Sequence, residues 1–182
     1  MLPNRTARRT ASSRVTSRDP DASVAPARLH VPVHLRWGDL DAFGHVNNVS
    51  MLKLLEEARV RALWAPEVGE PAFTTAVMPS GADAEVITLI ARHEIEYLRP
   101  VPYQPEPLDV QLWFGSLGGA SAEVCYEVHS PQGSAAPVLY ARSSAVVVAV
   151  DPRSGRPVRL APQVRAAWQP FLGEPIRFTV RR

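Results

Sequence analysis

The sequence predicts an α+β fold: a single domain in which an antiparallel curved sheet wraps around one long central helix. Three observations predict it. One stretch near the front of the chain, residues 48–64, carries helical periodicity. One stretch before it alternates apolar and polar residues, and four after it alternate or run apolar at strand length. Gly- and Pro-rich turns separate those four. A majority of strands with one amphipathic helix packs most simply by laying the helix across one face of a single sheet.

The elements follow in order. In residues 28–37, Leu29, Val31, Val33 and Leu35 occupy one phase of a half-buried strand, and Pro32 on the other phase suits a sheet edge or a strand start. Residues 38–44 (GDLDAFG) form a turn, and Asn47-Asn48 offers helix-capping oxygens. In the helix, Met51, Leu55, Ala58 and Ala62 recur at helical steps, widened by Leu52 and Leu63. Lys53, Glu57 and Arg61 are spaced for pairing on the polar side, and Pro66 ends the helix. Residues 65–84 read as a long connection. A strand over 87–97 then presents Ile87, Leu89, Ala91, Ile95 and Tyr97, with His93 on the same side. Leu108, Val110, Leu112 and Phe114 mark the next strand, residues 115–119 a turn, and Ala122, Val124, Tyr126 and Val128 another strand. The near-continuous apolar run 138–150 belongs inside a sheet, and residues 162–172 form a short final helix. The domain is expected to cover 28–173, after a disordered extension over 1–27 and before a tail over 174–182.

Composition narrows the function. Hydrophobic residues make up 46% of the chain, enough for a sizeable core, yet no apolar run approaches the roughly 18 residues that span a bilayer. The net charge of +2 is misleading, because residues 1–27 hold five Arg and two Asp. The remainder carries 15 basic and 16 acidic residues, so no nucleic-acid partner is expected. Cys125 is the lone cysteine, which excludes an internal disulfide and suits a reducing, cytoplasmic setting. Mid-strand, it reads as packing. The five histidines and Cys125 show no metal-ligand spacing, so no metal is expected. Ser50 lacks the G-x-S-x-G surroundings of a nucleophilic serine, and no Gly-rich phosphate loop or dinucleotide fingerprint is present, so no cofactor is expected either.

The informative segment is residues 36–59, RWGDLDAFGHVNNVSMLKLLEEAR. Arg36, Trp37, Asp39, Asp41, Gly44, His45, Val46, Asn47 and Asn48, followed by Glu56, Glu57, Ala58 and Arg59, resemble the signature of the 4-hydroxybenzoyl-CoA thioesterase-like family of the hotdog superfamily. Residues 94–101 (EIEYLRPV) resemble a further strand of that family, and the likeness in element order covers about residues 29–170. One departure is Met51, where many relatives carry Tyr.

The resemblance implies an acyl-CoA thioesterase, acting on an acyl-CoA or an acyl-carrier-protein thioester as a homodimer or homotetramer. Asp41 is then the catalytic carboxylate, as nucleophile or general base, and the backbone N–H of Asn48 polarises the thioester carbonyl. The residues themselves are compatible with this. Thioester hydrolysis needs a carboxylate, donors for the developing oxyanion and a slot for the acyl-pantetheine arm. A turn with Asp41 ahead of a helix N-terminus supplies the first two. Asp41 as a turn cap is the plainer alternative. Asp39 fits a structural partner of Arg36. His45 fits either a general base or a residue that positions substrate. Gly44, Asn47 and Met51 are expected along the substrate, with Asn47 also holding the turn. Glu57 and Arg59 read as helix-surface or interface residues, and His93 as a satisfied core histidine. Two other functions remain compatible with the fold: a non-catalytic acyl-CoA-binding protein, and a hotdog hydratase or dehydratase, whose Asp and His usually stand in a different motif.

Overall fold

Apolar alternation decides which strands form, and hydrogen bonding between them decides their order. The computed structural model describes residues 27–66, 72–81 and 83–179. Five strands, β1 (Leu29–Val33), β2 (Ile87–Tyr97), β3 (Leu108–Leu117), β4 (Ser121–His129) and β5 (Leu139–Val150), form one sheet in the order β1-β3-β4-β5-β2. Every pairing is antiparallel. With α1 (Asn48–Leu63) and α2 (Pro162–Trp168) the class is α+β, as expected. The extension over 1–27 falls almost wholly outside the described residues.

One face of the sheet carries the core. Leu29, Val31 and Val33 of β1 lie opposite Leu112, Val110 and Leu108 of β3. Val124, Tyr126 and Val128 of β4 and Ala141, Ala145 and Val147 of β5 continue that face, and all are buried. From α1, Met51, Leu54, Leu55, Ala58 and Ala62 pack into the same cluster. The helix starts where Asn47 accepts the Val49 N–H at 2.8 Å, a cap worth about 1 kcal/mol. It ends at Trp64, whose backbone turns extended before Pro66.

Pro32 sits on β1, which is indeed an edge strand. Elsewhere the sheet departs from simple alternation. A bulge at Ala91 shifts the register of β2. Thr88 and Ile90 therefore share the inner face with His93, Ile95 and Tyr97, while Ile87 and Leu89 fall on the outer face, contrary to the alternation read from the sequence. A second bulge lets β3 run through Gly115 to Leu117, so the turn begins only at Gly118. The final helical segment divides into α2 and a short 3-10 turn, Gln169–Phe171. Trp168 stacks on Phe114 at 4.7 Å and donates its Nε1–H to the Thr75 carbonyl, which ties part of the 65–84 connection into the core.

Residues 174–179 do not trail into solvent. They cross the outer face of the sheet, where Gly173 N–H donates to the Phe114 carbonyl and Trp113 Nε1–H donates to Glu174 O. Further along, the Thr179 hydroxyl accepts from Arg142.

Candidate active site

The turn between β1 and α1 is built by its own hydrogen bonds. Asp39, only 4% exposed, accepts the Arg36 backbone N–H at 2.7 Å and its guanidinium at 3.3 Å, which makes it the structural partner of Arg36. Its carbonyl accepts the Asn47 N–H. Two residues on, Asp41 accepts the N–H groups of Phe43 at 2.8 Å and His45 at 3.2 Å, both on Oδ1. Oδ2 has no hydrogen-bond partner among the described residues. Asp41 is thus a turn cap with one oxygen left over. Gly44 closes the turn at φ +77°, in the left-handed region where a side chain would be strained.

The turn delivers the chain to the N-terminus of α1. The Val46 and Asn47 N–H groups are taken by the Val101 and Asp39 carbonyls, and Val49 N–H by the Asn47 and Asn48 side chains. Among the described residues, the Asn48 N–H meets no acceptor. It is one of the free donors that a helix start leaves, with the positive end of the helix dipole behind it. Asn48 is exposed, and His45 is half-buried with no side-chain hydrogen bond among the described residues.

Met51 is 2% exposed and lines a hollow of about 260 Å³ with Val46, Tyr97, Leu98, Arg99 and Val101. A larger hollow, about 690 Å³, lies at the opposite end of β2 between residues 83–86 and 151–153, away from this turn. Of the other residues lining the smaller hollow, the sequence places Tyr97 only on the apolar face of its strand and gives Leu98 and Arg99 no role. The Tyr97 hydroxyl donates to the Asn48 carbonyl at 3.4 Å, which brings the end of β2 against the helix start. Alternation along residues 93–97 gives the face of Tyr97, but no signal in the sequence gives its partner at the helix start. Trp37 and Tyr103 make an exposed edge-to-face pair on residues flanking these segments.

Arg59 departs from expectation. It is buried at 8% exposure, not a surface residue, and reaches the fully buried Tyr126 hydroxyl. The α1 stripe of Ala58 and Ala62 faces the sheet and carries its neighbour inward with it. Glu57 is exposed. His93 is half-buried, with Nε2 at 2.9 Å from Ser143 Oγ. Its pKa is lowered, first by burial and then by the Arg59 charge.

The sequence profile of the thioesterase-like superfamily matches residues 35–168. No curated protein sequence matches significantly. Among solved structures, a candidate acyl-CoA thioesterase from Xanthomonas campestris is 32% identical, with 67% of this chain and 90% of that one covered and a TM-score of 0.51. A candidate thioesterase from Pseudomonas aeruginosa is 30% identical, with 77% and 95% covered and a TM-score of 0.58. A Thermus thermophilus thioesterase, solved in complex with coenzyme A and Zn, is 26% identical, with 81% and 95% covered and a TM-score of 0.55.

Proposed function

Since the chain belongs to the thioesterase-like superfamily, we propose that it hydrolyses acyl-CoA thioesters to a free carboxylic acid and CoA, in a hotdog arrangement with α1 as its central helix. The observation that carries this is the 41–48 turn. It pins one oxygen of Asp41 with two N–H groups and, among the described residues, leaves the other unpartnered, ahead of an Asn48 N–H that meets no acceptor there. A carboxylate held this way is oriented without being used up. Its free oxygen either takes a proton from an attacking water or attacks the carbonyl itself. In both routes the carbonyl oxygen gains negative charge, and the Asn48 N–H with the helix dipole stabilises it. The bond to sulfur then breaks and CoA leaves as a thiolate that takes up a proton; on the direct route the acyl group stays on Asp41 as an anhydride, which a water then hydrolyses to the free acid. His45 positions the thioester from the turn, while Gly44, Asn47 and Met51 border the acyl-pantetheine arm. An acyl-carrier-protein thioester presents the same arm.

The proposal extends to assembly and setting. β2 is an outer strand whose edge is unpaired among the described residues, and edge-to-edge pairing of two copies covers it, giving a homodimer or a pair of dimers. No helix of the described residues is long and apolar enough to cross a membrane. The lone, buried Cys125 suits a cytoplasmic protein.

The test is thiol release from a panel of acyl-CoAs by the native protein and by Asp41→Asn. Asparagine keeps the Oδ1 acceptor that holds the turn, so the variant folds, yet it neither accepts a proton nor attacks. Turnover is expected to fall by roughly 10²-fold or more. Near-native turnover by folded Asp41→Asn removes Asp41 from the mechanism. Binding of acyl-CoA by the native protein with no turnover at all favours a non-catalytic acyl-CoA carrier instead.

A further inference from the structure

The inner face of the sheet is mostly apolar, but a polar cluster interrupts it beside the middle of α1. Arg59 donates from Nη1 to the Tyr126 hydroxyl at 3.3 Å and from Nη2 to the Glu56 carboxylate at 3.2 Å. The Ser143 hydroxyl donates to the Glu94 carbonyl at 2.8 Å, so its oxygen accepts from His93 Nε2–H at 2.9 Å. Burying a charge is costly unless its donors find acceptors. A guanidinium carries more N–H groups than the two used here. Among the described residues the others meet no acceptor. One of the acceptors it does have, Glu56, is 63% exposed and free to swing away. Tyr126 accepts from Arg59, which leaves its own O–H proton to donate.

The cluster stands beside the uncovered inner side of β2, which with α1 outlines a groove. Helix α1 leans on β1 and β3 and leaves the inner side of β2 largely uncovered. Along β2, Tyr97, Ile95 and His93 face inward, opposite Ala141, Ser143 and Ala145. Along α1, Leu52, Glu56 and Arg59 fall on one stripe at helical spacing. The two walls meet at one end through Tyr97 and Asn48. At the other, the Arg59 charge bears on His93. The distance between ends is roughly 13 Å along the strand. It is about 16 Å along the helix, shortened because a helical arginine leans back toward the N-terminus.

We infer that this groove holds the acyl chain and that Arg59 and Tyr126 receive a carboxylate at its far end, so that the preferred substrates are mono-thioesters of dicarboxylic acids. The inference rests on the thioesterase reading, which puts the thioester at the Asn48 end. A carboxylate is acceptor-only and matches a lining of N–H and O–H donors, and arginine binds it with charge-assisted hydrogen bonds. In the free protein Glu56 occupies the place on Nη2 that the substrate carboxylate takes. A plain alkyl end leaves Glu56 on Nη2 and offers no acceptor to the remaining donors, so it gains none of the charge-assisted hydrogen bonds that the carboxylate makes.

The test compares kcat/KM for succinyl-, adipyl- and suberyl-CoA with butyryl-, hexanoyl- and octanoyl-CoA, in the native protein and in Arg59→Met and Tyr126→Phe. Arg59→Met leaves no buried charge behind, because Glu56 is 63% exposed and stays hydrated, and Tyr126→Phe decides the matter if Arg59→Met does not fold. The native protein is expected to prefer at least one carboxy-ended substrate over its alkyl counterpart by about tenfold or more. Both variants should lose that preference, mainly through KM. A native protein without the preference overturns the inference, as does a preference that survives in the folded variants. If no thioester is hydrolysed, the thioesterase reading fails and the site is judged alone, by thermal stabilisation with free adipate against hexanoate. Stabilisation by adipate that disappears in Tyr126→Phe upholds the site, and its absence in the native protein overturns it.

Discussion

Asp39 and Asp41 stand two residues apart with opposite roles, and the difference is burial. Asp39 is enclosed, and both its oxygens are spent on Arg36. Asp41 spends one oxygen on the turn and keeps the other. The residue most informative about pH is His93, whose folded-state pKa lies below the ordinary 6.5 because burial disfavours the imidazolium and Arg59 opposes it. The unfolded chain therefore binds this proton more readily. The sign follows: stability is fully present above about pH 6.5 and is lost as pH falls through the folded pKa. His93→Gln, which keeps a donor for Ser143, should flatten that acid-side slope in urea denaturation across pH. An unchanged slope would mean that other groups govern it.

Among the elements, the C-terminal segment ties itself to the outer face of the sheet. It covers Trp113 and Cys125 on the outer face of β3 and β4. The Cys125 thiol is pushed up to about 11, chiefly by burial. A chain ended at Gly173 loses the Trp113–Glu174 hydrogen bond and the apolar cover around it. We expect a loss of about 1–3 kcal/mol in unfolding free energy, together with faster reaction of Cys125 with thiol reagents under native conditions. Equal stability and equal reactivity in the shortened chain would show that the segment does not hold the sheet. The β2 bulge at Ala91 is the other decisive element. It turns Ile87 and Leu89 outward and keeps His93, Ile95 and Tyr97 on the groove side.

For the whole molecule the open question is what covers β2. Its edge is unpaired among the described residues, and Ile87, Leu89, Ile90, Tyr97 and Leu98 are exposed along and just past it. Exposed apolar edges of this length invite pairing, and a two-fold pairing gives two equivalent sites per dimer. Light scattering of the active protein in dilute solution should report at least twice the 19.9 kDa chain mass. An active species with the mass of one chain would rule out a shared site. The near-neutral charge of the chain after residue 27 opposes such a contact little.

The sequence by itself determined the elements, the class and the candidate turn, because each rests on local information. Two-residue alternation marks strands, the Met51–Ala62 spacing marks the helix, and Asp41, Gly44 and Asn47 lie within a few residues of the groups they bond. Tertiary structure decided the rest. Tyr97 meets Asn48 across 49 residues of chain. Arg59 looks like a surface residue until Tyr126, 67 residues away, supplies its partner. The Ala91 bulge exists only as a mismatch in register with β5. Such features are set by which distant segments pack together, and neither residue of the pair records its partner locally.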